Sequence, residues 1–423
     1  MNYSELSKPE AAELLEKEMK QYKRFQGLKL SLDMSRGKPC TEQLDMVSDI
    51  FDVLNSKSDF KLANGIDSRN YGCVDGIPEL KQLFGKIFNV MPSEVAVSDG
   101  SSLALMYGIV QHGKQFGFAG NVPWNKLPKV KFICLTPGYD RHFGICETFG
   151  IEMISVPMTS DGINMDMIEA LVANDSSIKG IWCVPKYSNP TGLTYSDEVV
   201  DRLANMKTAA SDFRIMWDDA YFAHTLFKDE PLKDIMQAIK KAGNPDRVFM
   251  FASTSKITLA GAGVSAIISS ENNIKEYKNR ITFQTIGPNK VSQLMHFRYI
   301  KDIDNLKKIM EKHAEILRPK FLIVLNTLQR DFVSGDVVNW TAPNGGYFVS
   351  VNILKGSAKR VVQLALEAGV KFTNAGATYP LGNDDKDSNL RIAPSYPPLN
   401  ELETAMEVFS NAVKISALEA ILK

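Results

Sequence analysis

The sequence has few cysteines, and none of them is spaced as a metal ligand or as part of a disulfide framework. The five cysteines lie far apart in the chain, without a Cys-x-x-Cys pair or companion histidines, at Cys40, Cys73, Cys134, Cys146 and Cys183. Zinc sites and disulfide-rich scaffolds both depend on such spacing. We therefore predict reduced thiols, no metal site and a cytoplasmic protein.

An excess of charge of one sign is also missing. The 49 lysines and arginines balance the 49 aspartates and glutamates, so the formal net charge is +0. Chains that bind nucleic acid or an anionic membrane usually carry a basic excess. No apolar run is long enough to span a bilayer, and the charged N-terminal segment lacks the apolar stretch of a signal peptide. These absences favour a small-molecule partner over a nucleic acid or a membrane.

Short apolar runs alternate with helical patterns through the middle of the chain. They predict seven strands, at 95–97, 130–135, 151–156, 180–184, 213–217, 248–251 and 264–268. Helices between consecutive strands are typical of a mostly parallel sheet that is covered on both faces. We predict an α/β fold with this seven-stranded sheet in a large domain.

The pattern changes towards the C-terminus and predicts a smaller α+β domain. A long charged helix at 302–330 precedes strands at 346–351 and 389–393. Apolar residues of the closing helix recur at helical spacing, at Leu402, Met406, Phe409, Val413 and Ala417. Because 423 residues exceed the usual size of one core, we predict a large domain at 59–310, a small domain at 311–423 and an N-terminal segment, 1–58, that joins the small domain.

A lysine follows one of the predicted strands. The strand 248–251 runs into Ala252-Ser253-Thr254-Ser255-Lys256. Open α/β sheets bind ligands beyond the carboxyl ends of their strands, and a lysine amine in that position can condense with an aldehyde. A single lysine is more often a surface charge, so this interpretation depends on the residues around it.

Two more strand ends carry residues that suit a pyridine ring. Asp218 follows the strand 213–217, and its carboxylate can pair with a protonated pyridine nitrogen, although alone it resembles a helix cap. Tyr221 and Asn189 can each donate a hydrogen bond to the phenolic oxygen of such a ring. Alone, Tyr221 is equally a core tyrosine, and Asn189 opens an Asn-Pro-x-Gly turn.

A candidate phosphate site follows the strand 95–97. Gly100-Ser101-Ser102 precede a helix that we predict to begin near Leu103, and the amides of a helix N-terminus bind phosphate. Helix capping alone also explains the two serines.

An aromatic residue and an arginine complete the pattern. Tyr139, after the strand 130–135, can stack on a heteroaromatic ring with His142 beneath or beside it, or simply pack in a loop. Arg391, inside the strand 389–393, can hold a carboxylate through two parallel hydrogen bonds. A structural salt bridge is the alternative for Arg391.

Taken in order, these segments resemble the class I aminotransferases of fold type I, which use pyridoxal 5'-phosphate and include aspartate aminotransferase. The resemblance spans most of the chain. Its segments are Tyr71 with Gly76, Gly100-Ser101-Ser102, Tyr139 with His142, Asn189-Pro190-Thr191-Gly192, Asp218-Asp219-Ala220-Tyr221, Ser253-Thr254-Ser255-Lys256 and Arg391.

The resemblance implies a role for each of these residues. Lys256 would hold the cofactor as a Schiff base, Asp218 would hold its pyridine nitrogen, and Tyr139 would stack on the ring. Asn189 and Tyr221 would contact the phenolic oxygen. The implied phosphate contacts are Gly100, Ser101, Ser102, Ser253 and Ser255.

The resemblance also implies how substrate and a second subunit take part. Arg391 would bind the substrate α-carboxylate, with Gly37 and Arg36 beside it. The counterpart of Tyr71 reaches the phosphate of the neighbouring subunit, which implies a homodimer with shared active sites.

One feature departs from the family pattern. Members commonly carry an arginine a few residues after the Schiff-base lysine, whereas residues 257–264 contain none. Helix N-terminal amides and hydroxyls, or a cation from elsewhere, would then face the phosphate. This segment and Ser35-Arg36-Gly37-Lys38-Pro39 resemble a bacterial subgroup described as aspartate aminotransferases.

We therefore predict ping-pong transamination between aspartate and 2-oxoglutarate, with Lys256 as the proton carrier. An acidic substrate needs a second cation, for which Arg36, Lys38 and Arg141 are candidates. Transamination of aromatic amino acids or alanine, and C–S β-lysis, remain alternatives. An effector-sensing module of a transcription regulator would carry a basic helix-turn-helix segment, which neither terminus offers.

Overall fold

The computed structural model describes residues 2–160 and 162–423 of the chain. The α-helices, numbered α1 to α13, are Lys8–Gly27, Thr41–Met46, Pro78–Ile87, Ser102–Phe116, Asp140–Thr148, Met165–Asn174, Asp197–Asn205, Ile235–Lys241, Glu271–Ile281, Lys290–Ile300, Ile303–Asp331, Ala358–Glu367 and Leu399–Leu422. The strands, numbered β1 to β13, are Leu32–Asp33, Val95–Asp99, Lys131–Thr136, Glu152–Thr159, Gly162–Ile163, Ile178–Cys183, Arg214–Asp218, Val248–Ser253, Val264–Ile268, Val338–Trp340, Val349–Ile353, Val370–Lys371 and Asn389–Ile392.

The seven strands predicted for the large sheet are all present, as β2, β3, β4, β6, β7, β8 and β9. Within the described residues the sheet has an eighth strand, β5, so the predicted count of seven was too low. β5 has two residues and pairs antiparallel with the end of β4. Two residues cannot show a periodic pattern, which is why the sequence did not predict this strand.

The order of the strands in this sheet is β2-β9-β8-β7-β6-β3-β4-β5. From β8 to β4 the neighbours are parallel, and β9 is antiparallel to both β2 and β8. β2 therefore points in the same direction as the parallel strands. The carboxyl ends of β2, β3, β6, β7 and β8 consequently meet at one edge of the sheet, where open α/β sheets bind their ligands.

Both faces of the large sheet are buried. Ile133 and Ile215 belong to one apolar cluster, which α3, α6, α7 and α8 cover. Phe132 and Met216 belong to the cluster on the opposite face, covered by α4, α5 and α9. Because neighbouring residues of a strand face opposite sides, both must be apolar here, and the strands appear in the sequence as continuous apolar runs.

Helices next to the sheet begin at capping residues. The side chains of Ser101, Asn164, Ser196 and Asp234 each accept a hydrogen bond from a first-turn amide of α4, α6, α7 or α8. Such caps satisfy amides that have no partner inside the helix. The cap at Ser101 places the start of α4 one residue before the predicted position.

A third apolar cluster surrounds the antiparallel sheet β10-β11-β13 and the helices α1, α12 and α13. Helix α13 buries the predicted apolar stripe, including Met406 and Val413. β1 pairs with β12, so the N-terminal segment packs with the C-terminal part of the chain. The domain limits after residues 58 and 310 stay predictions.

The C-terminal strands differ slightly from their predicted positions. The strand predicted at 346–351 begins at Val349, because Gly346, at φ 82°, packs closely against Tyr187 before the strand starts. The short strand β10 was not predicted. No helix in the described ranges combines the length and the apolar character needed to cross a membrane.

Candidate active site

A cavity of about 550 Å³ lies at the edge of the sheet where the carboxyl ends of the parallel strands meet. Segments that are remote in sequence supply its walls. The predicted site residues that line it are Arg36, Gly37, Ser102, Tyr139, Asn189, Asp218, Tyr221, Lys256 and Arg391. The structure thus brings together most of the residues that the sequence singled out.

Lys256 points its amine towards aromatic rings inside this cavity. Nζ lies 5.0 Å from the centroid of the Tyr221 ring and 5.8 Å from that of Tyr347. Burial lowers the pKa of the amine, and the negative charge of Asp218 opposes this effect only in part. A lowered pKa increases the fraction of neutral, nucleophilic amine at physiological pH.

Asp218 is buried at the end of β7 and is held from one side. Its Oδ2 lies 3.1 Å from Nε2 of His142, whose ring stacks on Trp182 at 4.4 Å between centroids and 10° between planes. Its other oxygen, Oδ1, is buried and has no hydrogen-bond partner among the described residues. The carboxylate is therefore fixed in orientation and keeps one oxygen free for a donor in the cavity.

The two tyrosines of the site stay protonated at neutral pH. Burial, followed by the charge of Asp218, raises the pKa of Tyr139. Burial raises the pKa of Tyr221 well above its usual range, and nearby Tyr139 and Asp218 add to the effect. Both hydroxyls can therefore donate hydrogen bonds.

The serines of the predicted phosphate site gather around the carbonyl of Gly100. Oγ of Ser255 donates to this carbonyl at 2.8 Å and Oγ of Ser253 at 3.2 Å, and the two hydroxyls lie 2.7 Å apart. Ser101 caps α4 by accepting a hydrogen bond from the amide of Ala104 at 3.3 Å. The amides of the first turn of α4 point out of the helix beside these hydroxyls, which is the arrangement that binds compact anions.

Arg391 is held at one end of its guanidinium. Its Nη1 donates to Oδ1 of Asp140 at 3.1 Å and to Oδ1 of Asn189 at 3.2 Å. The guanidinium carbon lies 4.7 Å from the centroid of the Phe348 ring. Nε is buried and has no partner among the described residues, so this edge of the guanidinium is free to bind an acceptor in the cavity.

Asn189 is oriented by the same contact. Because its Oδ1 accepts from Arg391, its Nδ2 amide is the end that remains available as a donor. Gly37 lies against the Phe348 ring so closely that a Cβ atom there would overlap it. A side chain at position 37 would push the end of this ring aside where the N-terminal segment closes the cavity.

Three cations that the sequence offered for a second carboxylate all line the cavity, namely Arg36, Lys38 and Arg141. Nζ of Lys38 lies 3.8 Å from the centroid of the Tyr396 ring. Arg141 is largely exposed and lies 4.0 Å from Asp140. Lys371 also lines the cavity and was not predicted.

Besides Gly100, Ser101, Ser253 and Ser255, one more predicted site residue does not line the cavity, namely Tyr71. It is 75 % exposed and does not line the cavity. A residue that serves the site of another subunit would be exposed in this way, and the role of Tyr71 stays a prediction.

Sequence reasoning missed several residues that support the site. Asp140, next to Tyr139, received no role, although it pairs with Arg391. His313 donates from Nε2 to the carbonyl of Ile257 at 2.8 Å, and its Nδ1 accepts from Gln43 at 2.9 Å. This chain of hydrogen bonds holds the residue after Lys256, and no local pattern in the sequence indicates it.

Solved structures with the same fold are aminotransferases of fold type I. An aspartate transaminase from Corynebacterium glutamicum superposes with a TM-score of 0.96, at 44% identity over 100% of this chain and 99% of that one. The α-aminoadipate aminotransferase LysN from Thermus thermophilus, solved with N-(5'-phosphopyridoxyl)-L-leucine, has a TM-score of 0.75 at 20% identity, over 93% of this chain and 94% of that one. The fold and the composition of the cavity define an aminotransferase.

Proteins with similar sequences specify the kind of aminotransferase. An aspartate aminotransferase from Corynebacterium glutamicum is 48% identical over 92% of this chain and 90% of its own length. The family model described as aspartate amino-transferase matches residues 6–423. The chain belongs to this aspartate aminotransferase family, and the prediction of an aminotransferase is confirmed.

Proposed function

We propose that this enzyme transfers the amino group of aspartate to 2-oxoglutarate with pyridoxal 5'-phosphate as its cofactor. One observation carries the proposal: the amine of Lys256 and the unpaired oxygen of Asp218 belong to the same cavity. The first is a nucleophile for an aldehyde, and the second is an anion for a ring nitrogen.

The residues of the cavity fit this cofactor. Oδ1 of Asp218 is a buried acceptor without a partner, which is costly unless a donor such as a protonated pyridine nitrogen meets it. The hydroxyls of Ser253 and Ser255 and the N-terminus of α4 suit its phosphate. Nδ2 of Asn189 and the hydroxyl of Tyr221 suit its phenolic oxygen.

When bound, the cofactor supplies an electrophilic carbonyl for the amino group and a ring that accepts electrons from the substrate. We assign to Nζ of Lys256 the transfer of the proton from the substrate α-carbon, because its lowered pKa lets the neutral amine act as a base. His142 holds the Asp218 carboxylate in place during this transfer.

Arg391 binds the α-carboxylate of the substrate in this proposal. Its Nη1 is fixed by Asp140 and Asn189, while Nε, which has no partner among the described residues, can donate to a carboxylate. A guanidinium held in one orientation loses little entropy when a carboxylate binds, which favours tight and directional binding.

The cations around the cavity support an acidic substrate. Arg36, Lys38 and Arg141 place positive charge on the wall formed by the N-terminal segment and α5. Aspartate, glutamate and their 2-oxo acids each carry a second carboxylate, whereas alanine and aromatic amino acids do not. We infer that a single cavity binds both substrates in turn, with ping-pong kinetics.

Single-turnover spectroscopy tests the substrate assignment. The enzyme saturated with pyridoxal phosphate is mixed with one amino acid at a time, without a 2-oxo acid, and its visible absorption is followed. We expect aspartate and glutamate to change the spectrum fully and 2-oxoglutarate to restore it. A faster change with alanine or phenylalanine contradicts the assignment. Release of pyruvate from a cysteine conjugate without any 2-oxo acid identifies a β-lyase instead.

We further propose a homodimer in which Tyr71 of one subunit completes the site of the other. The test mixes two impaired variants, Lys256→Ala and Tyr71→Ala, by joint refolding or co-expression. If the sites are shared, each mixed dimer has one site with both defects and one intact site. Random pairing of equal amounts makes about half of the dimers mixed, so about a quarter of all sites regain activity. Activity no higher than the mean of the two variants contradicts shared sites.

A further inference from the structure

A second cavity, of about 520 Å³, lies on the opposite side of β7 from the active site. β7 ends at Asp218, whose side chain lines the active-site cavity, while its neighbours Trp217 and Asp219 line the second one. The alternation of side chains along a strand produces this division. The two cavities share no lining residue within the described parts of the chain.

The walls of the second cavity combine an apolar part with several charged side chains. They are formed by the end of α3, the segment that follows β7, and the first turns of α11. Phe88 and Phe222 form an edge-to-face pair at 5.2 Å between centroids, and Leu306 and Met310 face the cavity from α11. Cavities of this size that combine apolar walls with polar groups are typical of small-molecule sites.

Asp219 is the unusual feature of these walls. Its side chain is buried, at 5 % exposure, and Oδ1 has no hydrogen-bond partner among the described residues. Burial raises the pKa of this carboxyl to about 7, against the charge of nearby Lys186. A buried carboxyl without a partner is costly, so its position in the wall of a cavity indicates a donor that comes from outside the chain.

Most other charged side chains of this cavity are already matched. Nζ of Lys186 lies 3.0 Å from Oδ1 of Asp229, and Nζ of Lys233 lies 2.6 Å from Oδ2 of Asp201. Two more acids are also engaged: Glu311 pairs with Arg318, and Asp234 caps α8. Lys307 is exposed at the rim. Asp219 is thus the acid left to receive a ligand.

We propose that this cavity is a binding site for a small molecule made of a protonated amine and an apolar body, with the amine hydrogen-bonded to Asp219. An ammonium matches the acceptor, and a phenyl or branched alkyl group matches the walls around Phe88, Phe222 and Leu306. The site stands apart from the catalytic cavity and does not depend on the identity of the amino-acid substrate. Because Asp219 is adjacent to Asp218, a bound amine adds its charge close to the active site.

The test measures the binding of N,N-dimethyl-2-phenylethylamine to the enzyme saturated with pyridoxal phosphate, by titration calorimetry. This tertiary amine cannot condense with an aldehyde, so it does not react with the cofactor. We expect saturable binding to the wild type. Asp219→Asn, which keeps the shape of the side chain, should weaken binding about tenfold or more. Leu306→Trp, which fills the cavity, should abolish it.

Two controls separate this site from the active site. Lys256→Ala should bind the amine as the wild type does, because the lysine lies on the other side of β7. 2-Phenylethyl methyl ether, which has the same length but no N–H, should bind far more weakly than the amine. Absence of binding to the wild type, equal binding to Asp219→Asn, or loss of binding in Lys256→Ala overturns the proposal, whatever the outcome for the substrate assignment.

Discussion

Nε2 of His142 lies 3.1 Å from Oδ2 of Asp218, and the two residues are buried together beneath the active-site cavity. The contact joins the helix α5 to the end of β7 across 76 positions of the chain. It leaves Oδ1 of the same carboxylate unpaired and facing the site. The carboxylate is held by the protein on one side and is available to a ligand on the other.

Asp218→Asn should lower kcat/KM for transamination by about 100-fold or more, because the amide keeps the shape but removes the charge that stabilises a protonated ring. A coupled assay that consumes the 2-oxo acid product measures the change. Asp166→Asn, at an exposed position of α6, is the matched control and should remain within about twofold of the wild type. Near-wild-type turnover of the Asp218 variant contradicts the assigned role.

His142→Phe should keep the stacking on Trp182 while it removes the hydrogen bond to Asp218. The buried oxygen of Asp218 then loses its donor, so we expect the free energy of unfolding of the cofactor-free protein to fall by about 1–3 kcal/mol. Urea unfolding followed by tryptophan fluorescence measures this change. We expect kcat to fall while KM for aspartate stays constant. A rise in KM alone speaks against a positioning role for His142.

Arg391→Lys should raise KM for aspartate and for 2-oxoglutarate about tenfold to 100-fold, because an ammonium cannot replace two parallel hydrogen bonds to a carboxylate. Steady-state kinetics with both substrates measure the effect. Arg202→Lys, in α7, is the control because its guanidinium pairs with Asp166, Glu169 and Glu198 and does not line the active-site cavity. Equal KM values for wild type and Arg391→Lys would show that the α-carboxylate binds elsewhere.

Lys256 should react with aldehydes at a lower pH than ordinary lysines do. Burial lowers the pKa of its amine, so the neutral form persists as the pH falls below the usual lysine range. We expect reductive labelling with pyridoxal phosphate and cyanoborohydride at about pH 7 to modify Lys256 first, as peptide mass spectrometry would show. Uniform labelling of several surface lysines, with Lys256 spared, contradicts this expectation.

Asp219 should make the ligand-free protein less stable as the pH rises. Burial raises the pKa of its carboxyl from the ordinary value of 3.8 to about 7. The folded state therefore holds this proton more tightly than the unfolded state. The stability that the protein has below pH 3.8 is consequently lost as the pH rises towards 7. As the pH rises from about 4 to about 8, the free energy of unfolding of Asp219→Asn should accordingly increase by about 2–4 kcal/mol relative to that of the wild type.

Thermal unfolding of both proteins across this pH range measures that difference. Asp166→Asn, at an exposed position of α6, serves again as the control for an aspartate-to-asparagine substitution. If the stability of the wild type and that of Asp219→Asn change with pH in parallel, Asp219 has a partner in solution and this prediction is wrong.

The local pattern of the sequence determined much of this protein. Parallel strands with both faces buried are mostly apolar, so most of β3, β6 and β8 appears as continuous apolar runs and could be predicted. Residues directly after such strands must lie at the carboxyl edge of the sheet. That rule made Lys256 and Asp218 candidates, and the order of all the segments led to their roles and to the aminotransferase family.

Only the tertiary structure decided which remote side chains meet. Arg391 and Asp140 are separated by 251 positions, and Gln43 and His313 by 270, so no local periodicity reports either contact. The order of the strands and the packing of α2 against α11 bring these residues together. The tertiary structure also decides the environment of Asp219, which the sequence shows only as a second acidic residue beside Asp218. The alternation of side chains along β7 places the two carboxylates in different cavities, and the helices around the sheet leave one of them without a partner.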